Sequence, residues 1–196
     1  VTNFNNPNSD FDKLTRTQIL VLMGVTALIL MIIAQVWHYF GKVEILAISF
    51  NIKDVLFGIG LAIIISILSS IIYRFWEDYR RSADYYLELV VKPLIWADLL
   101  WLGLLPGLSE ELLFRGVMLS ALGENLLALI ISSIIFGILH YNGKGQISYV
   151  VWATLVGFIL GFSAIYTGNL LIPIIAHIIT NWISSIMWKL KHPDSL

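Results

Sequence analysis

The 196-residue chain contains no cysteine, which excludes disulfide scaffolds, thiolate metal centres and cysteine nucleophiles together. Charge is scarce as well: Asp, Glu, Lys and Arg make up 13% of the residues, where an ordinary soluble domain carries about 25%. So little charge cannot cover a water-soluble globule of this size. Neither sign dominates, with 12 Lys+Arg against 13 Asp+Glu, so nothing in the composition recruits a nucleic acid. What the chain has is apolar surface: 58% of its residues are hydrophobic and the mean hydropathy is +0.84. Such a composition excludes a disordered chain and points to a membrane protein. There is no internal repeat, and the apolar runs are too long and continuous for barrel strands.

Residues 1–16 are polar and Asn-rich. They read as a solvated tail, because a signal peptide would open with basic residues and an early apolar run. Thr17 to Trp37 is then an uninterrupted apolar stretch, long enough to cross about 30 Å of hydrocarbon. Trp37, His38 and Tyr39 follow as an interfacial aromatic group. Val55 to Tyr73 is a second span, in which Gly58, Gly60, Ser66 and Ser69 are small enough to let a neighbouring helix approach. Arg74 to Lys92 mixes basic residues with aromatics, and Phe75, Trp76, Tyr79 and Tyr86 fall near one helical face. An amphipathic helix at the membrane interface is expected there. Apolar character resumes from Pro93 to Leu108, is interrupted at Pro106-Gly107, and continues through Leu112–Leu122, Asn125–Tyr141, Ile147–Tyr166 and Leu170–Trp188. Gly157 and Gly161 form a GxxxG in the penultimate stretch, read as helix packing.

These elements define an all-α polytopic membrane protein, a bundle of six to seven helices crossing or entering the bilayer. The expected organisation is a polar tail over 1–16, two transmembrane helices and an interfacial segment over 17–92, a helical core over 93–188, and a polar tail over 189–196. If Pro93–Leu122 crosses once, Lys13, Arg16, Arg74, Arg80, Arg81, Lys92, Lys144, Lys189 and Lys191 share one side and only Lys42 and Lys53 lie opposite. That asymmetry places both termini in the cytoplasm. Val1 reads as a literally translated alternative start codon, and with it the expected location is a bacterial cytoplasmic membrane.

Ionisable groups at membrane depth are costly and mark function. Three clusters stand out in the apolar stretches. In Ser109–Gly116, Ser109 is placed to cap a helix after the Pro-Gly interruption, with Glu110 and Glu111 in its first turn. Glu111 and Arg115 are four apart and pair on one face, while Glu110 points elsewhere. His140 follows Phe136 by one turn, and His177 is followed in the same way by Asn181. Taken singly these are a capped helix start, an interfacial histidine and interhelical hydrogen-bonding glue. Together they put a carboxylate and two imidazoles in three successive stretches of one bundle. Two chemistries fit. A glutamate and a histidine can activate water while a second histidine and an amide hold an oxyanion. Alternatively, Glu110, His140 and His177 match the donor set of a catalytic divalent metal such as zinc. Both lead to hydrolysis of an acyl bond.

The ordered set of Glu110-Glu111 with Arg115, Phe136 with His140, and His177 with Asn181, together with the flanking segment Asn169–His177, resembles the CPBP family of type II CAAX prenyl endopeptidases and bacteriocin-processing (Abi) membrane proteins. The resemblance covers about Leu99 to Trp188. It implies an intramembrane endopeptidase in which Glu110 and His140 activate the attacking water, His177 and Asn181 hold the oxyanion, and Glu111 and Arg115 support the site. It also implies a hydrophobic, lipidated or membrane-anchored protein or peptide as substrate, met within the lipid bilayer. The family has been described both as metal-dependent and as metal-independent, and the sequence leaves that choice open. Other protease signatures are missing: there is no HExxH and no GxGD, and Glu110 replaces the closing glycine of a GxSG serine element. Asp98 is an acid at membrane depth, expected to pair with a cation across the bundle or line the cavity; His38 and His192 are expected to be solvated. The rival from another class is a non-catalytic peptide-binding or bacteriocin-immunity protein that keeps the polar cluster for binding.

Overall fold

The computed structural model describes residues 14–141, 143 and 145–192. Most of the expected N-terminal tail, including Val1 and Lys13, lies outside the described residues, as do Lys144 and the last four residues. Among the described residues the chain is helical without strands. The helices are α1 (Arg16–Gly41), α2 (Ile52–Phe75), α3 (Glu77–Val91), α4 (Leu99–Glu111, entered through a 3-10 turn at Trp96–Asp98), α5 (Leu126–Ile138), α6 (Ile147–Thr167) and α7 (Leu171–Lys191). Between α4 and α5 the helix continues as a π-helical segment, Leu112–Met118, and a last turn, Leu119–Ala121. The protein is an all-α polytopic membrane protein.

Four helices, α1, α2, α6 and α7, are long and apolar enough to cross a membrane, and α5 is a shorter apolar helix. The outward faces of α1 and α2 carry exposed large apolar side chains such as Leu22, Ile29, Ile32, Leu56 and Ile64. That is the surface expected of helices whose solvent is lipid. α7 is the central element, packed by α2 and by α4. Gly58 makes the first contact possible, since a Cβ there would meet Ile175 Cβ at 2.9 Å. Gly60, expected to serve the same purpose, faces open space instead.

Pro106-Gly107 does not interrupt the helix. Pro106 sits inside α4, and a Cβ on Gly107 would stand 2.4 Å from Ile178 Cγ1. The glycine is there for close approach to α7 and not for a turn. Ser109 therefore caps nothing; its hydroxyl donates back to the Leu105 carbonyl at 2.8 Å. Glu110 and Glu111 lie at the C-terminal end of α4, away from any helix N-terminus. The segment after them is wound with five-residue hydrogen bonding, the Leu119 N–H donating to the Phe114 carbonyl. The extended strap between α1 and α2 closes over this segment, with the Leu46 N–H donating to the Gly116 carbonyl at 3.1 Å.

Two polar ties anchor the ends of the bundle. Asp98 pairs with Arg16, which is the first residue of α1 and not part of a solvated tail: Nε donates to Oδ2 at 2.6 Å and Nη2 to Oδ1 at 2.8 Å. At the other end, Asn169 Nδ2 donates to the Ser49 carbonyl, to Ser49 Oγ and to Asp54 Oδ2. Its Oδ1 accepts from the Ser49 and Leu171 amides at 3.1 and 3.0 Å. Asn169 thus holds the strap, the start of α2 and the α6–α7 turn in one place. Asn169→Ala is expected to lower stability by about 1–3 kcal/mol, because buried partners lose their bonds together. A lower thermal midpoint in detergent checks this. The helical part of the C-terminus also runs further than expected, to Lys191, with Lys189 buried. His38 and His192 are both hydrogen-bonded, to the Val43 and Trp188 carbonyls.

Candidate active site

The π-helical segment packs a widened turn into the bundle and buries every side chain from Leu113 to Met118. Arg115 is 1% exposed. Its Nη1 donates to Glu111 Oε1 at 2.8 Å and its Nη2 to the Gly157 carbonyl at 2.9 Å. The guanidinium lies over the Phe136 ring, 4.3 Å from its centroid. The GxxxG of α6 is what admits this arrangement: a Cβ on Gly157 would stand 3.2 Å from Arg115 Nη2 and 3.0 Å from Phe136, and one on Gly161 2.5 Å from Leu129. Glu111 is fully buried, and its Oε1 also accepts from His177 Nδ1 at 2.7 Å. One carboxylate oxygen therefore joins α4, the π-helical segment and α7. The bond fixes the His177 ring and leaves Nε2 as the nitrogen free to act.

Glu110 is rotated away from that knot, as its register predicts. Its Oε2 is buried and stands 3.9 Å from His140 Nε2, beyond a hydrogen bond. His140 Nδ1 lies 2.8 Å from the Phe136 carbonyl, which has no proton to give, so the Nδ1–H donates and Nε2 keeps its lone pair toward Glu110. Both side chains are slightly open, 16% exposed for Glu110 and 19% for His140.

Glu110, His140, His177 and Asn181 line one cavity of about 140 Å³. The structure therefore gathers all four candidate residues, and it places Glu111 and Arg115 behind them. It also adds residues that no motif singled out. Tyr86 of α3 and Tyr149 of α6 stack with ring centroids 4.9 Å apart and line the same cavity, with Tyr149 6.2 Å from the His140 ring. Desolvation and the nearby Glu110 carboxylate push the Tyr86 phenol up to about 12, so its hydroxyl stays protonated. The spacing of Tyr79 and Tyr86, seven residues apart on one face, was a usable signal. Phe75, expected on that face, is exposed and lies outside α3.

The Nδ1 bond to Glu111 leaves His177 Nε2 open to a ligand, but among the described residues no three His, Asp or Glu side chains form a group able to hold an ion.

An all-helical membrane protein with two acid–imidazole contacts gathered inside its bundle is the class that fold and site define. Residues 92–183 match the model of the type II CAAX prenyl endopeptidase Rce1-like family. The matched segment contains every candidate site residue from Glu110 to Asn181. Among curated proteins the chain is similar to the uncharacterized protein YpbD of Bacillus subtilis (strain 168), with 24% identity over 179 residues covering 90% of this chain and 88% of that one. No solved structure matches the chain.

Proposed function

We propose that the protein is an intramembrane endopeptidase that cleaves a peptide bond in a hydrophobic, lipidated or membrane-anchored protein or peptide, and that Glu110 and His140 activate the water. The observation that carries this reading is the 3.9 Å separation of Glu110 Oε2 and His140 Nε2. One water oxygen between them can donate to both, the Glu110 carboxylate and the imidazole lone pair sharing removal of its proton. As hydroxide attacks the carbonyl, charge develops on the carbonyl oxygen. Asn181 and His177 are the groups proposed to hold that oxygen. Glu111 supports the second of them, because its carboxylate fixes the His177 ring through Nδ1. The proton taken from water is returned to the leaving amine by the same pair. The charge asymmetry supports cytoplasmic termini, and a bacterial cytoplasmic membrane is the proposed location.

The test compares new peptide termini in membrane and secreted fractions of cells carrying the wild type or Glu110→Gln at matched expression. Termini found only with the wild type are the expected result, and they name the substrates. Identical termini, with the wild-type phenotype kept in the variant, would replace the enzyme by the non-catalytic binding or immunity protein.

A further inference from the structure

Two cavities of opposite character meet at the Glu110–His140 pair. On one side a groove of about 470 Å³ runs between α1, α3 and α4, and both residues line it. Its walls are mostly apolar, built from side chains such as Ile19, Met23, Leu30, Leu89 and Leu102, with Thr26 and Tyr86 as further polar residues beside Ser109 and the catalytic pair. Its serine is already bonded to its own helix, through the Ser109–Leu105 contact. Water has few partners there.

On the other side the catalytic cavity continues into a cleft of about 230 Å³ between α2, α3 and the C-terminal half of α7. The two spaces share Ser69, Tyr79, Ala83, Leu87 and Ser184. The cleft opens among Asp84, Lys191 and His192, a charged neighbourhood that marks the aqueous end. From there inward the walls carry hydroxyls: Ser66, Ser69 and Ser70 on α2, then Ser184 and, at the catalytic cavity, Thr180 and Ser185 on α7. Ser70 and Ser185 donate to their own helices and can only accept from water, and Ser69 meets the Tyr79 hydroxyl. Ser66 and Ser69, which the sequence suggested as packing residues, line this space. Ser66 Oγ and Thr180 Oγ1 are buried and have no hydrogen-bond partner among the described residues. A buried hydroxyl without a partner costs about 1–3 kcal/mol, and water in a polar space of this size removes that cost. At about 30 Å³ per molecule the cleft has room for several waters.

We propose that this hydroxyl-lined cleft is the route by which water, the second reactant of the hydrolysis, reaches Glu110 and His140 from the aqueous side, separately from the apolar groove beside α1. The proposal rests on the reading of the protein as a hydrolase. It follows from a requirement that any hydrolysis within a bilayer faces: the reactant must cross apolar protein without entering lipid. Serine and threonine hydroxyls spaced along facing helices supply the successive partners a file of water needs.

The absence of cysteine from the sequence makes the wild type a clean background for single thiols. Ser69→Cys and Ser184→Cys probe the cleft, and Met23→Cys and Ala27→Cys the groove. The protein is reconstituted in phosphatidylcholine vesicles. Methanethiosulfonate ethyltrimethylammonium, which is membrane-impermeant and attacks only the thiolate, is added on the side carrying Lys191. Thiolate forms only where water reaches the sulfur, so the cleft thiols are expected to react at least about tenfold faster than the groove thiols. N-ethylmaleimide labelling after solubilisation shows that each variant carries a reactive thiol. Equal rates at the two sites, or cleft thiols that only the maleimide reaches, would overturn the route. Thiol accessibility is independent of catalysis, so the two readings fail separately. A dry cleft in an active protease removes the route and leaves the protease. A wet cleft in a protein whose termini do not respond to Glu110→Gln removes water as a reactant, and the proposal with it.

Discussion

Glu110→Gln is expected to lower the turnover of a substrate peptide by about 10²–10⁴-fold, the usual contribution of a general base, with the thermal midpoint close to that of the wild type. The two halves of this result come from the same geometry. Glu110 Oε2 has no hydrogen-bond partner among the described residues and lies 3.9 Å from His140, so the amide forfeits no hydrogen-bonded ion pair there. His140→Ala should cost a similar factor. The double variant should be no slower than the slower single variant, because two residues acting on one water fail as a unit. The measurement is kcat for all four proteins on a peptide identified by the termini comparison, alongside thermal melts in the same detergent. Multiplying losses would place the two residues in separate steps and undo the shared-water scheme. A glutamine variant with unreduced turnover would remove Glu110 from the chemistry.

The spans were legible because lipid imposes a simple rule, and long apolar runs satisfy it without reference to partners. The Glu111–Arg115 pair was legible for an equally local reason, four-residue spacing on a helix. What stayed hidden depends on contacts distant in sequence. Pro106-Gly107 reads as an interruption, yet Gly107 is needed for the approach of Ile178, which only the folded pair of helices reveals. Asp98 could not be assigned its cation, because Arg16 is separated from it by 82 positions and belonged, by composition, to the tail. The small residues of α2 divide in the same way: Gly58 packs against α7, whereas Ser66 and Ser69 line a cleft. Composition alone cannot distinguish a small residue that admits a helix from one that admits water. The four candidate residues were readable as a group because each is an exception in an apolar stretch. Tyr149 was not, since aromatics are common in any membrane protein and it meets Tyr86 only across two helices.

Arg115→Met is expected to be the most destabilising single change in the site, by about 3–5 kcal/mol, the cost of leaving a buried charge without its partner. Methionine keeps most of the side chain's length, so the loss is electrostatic rather than a cavity. Glu111 is fully buried, its Oε2 has no hydrogen-bond partner among the described residues, and without Arg115 its Oε1 keeps the contact with His177. The Gly157 carbonyl loses its donor at the same time. If the cost comes from the stranded carboxylate, removing that carboxylate should recover much of it. Glu111→Leu combined with Arg115→Met is therefore expected to melt several degrees above Arg115→Met alone, because an apolar pair of similar volume replaces a buried ion pair at little cost. Activity should not return with stability. His177 Nδ1 has lost the acceptor that orients its ring toward the oxyanion. Thermal melts and substrate cleavage on wild type, single and double variants separate the two effects. A double variant as unstable as Arg115→Met would mean that the arginine's contacts to Gly157 and Phe136 dominate. A double variant with full turnover would show that Glu111 does not act through His177.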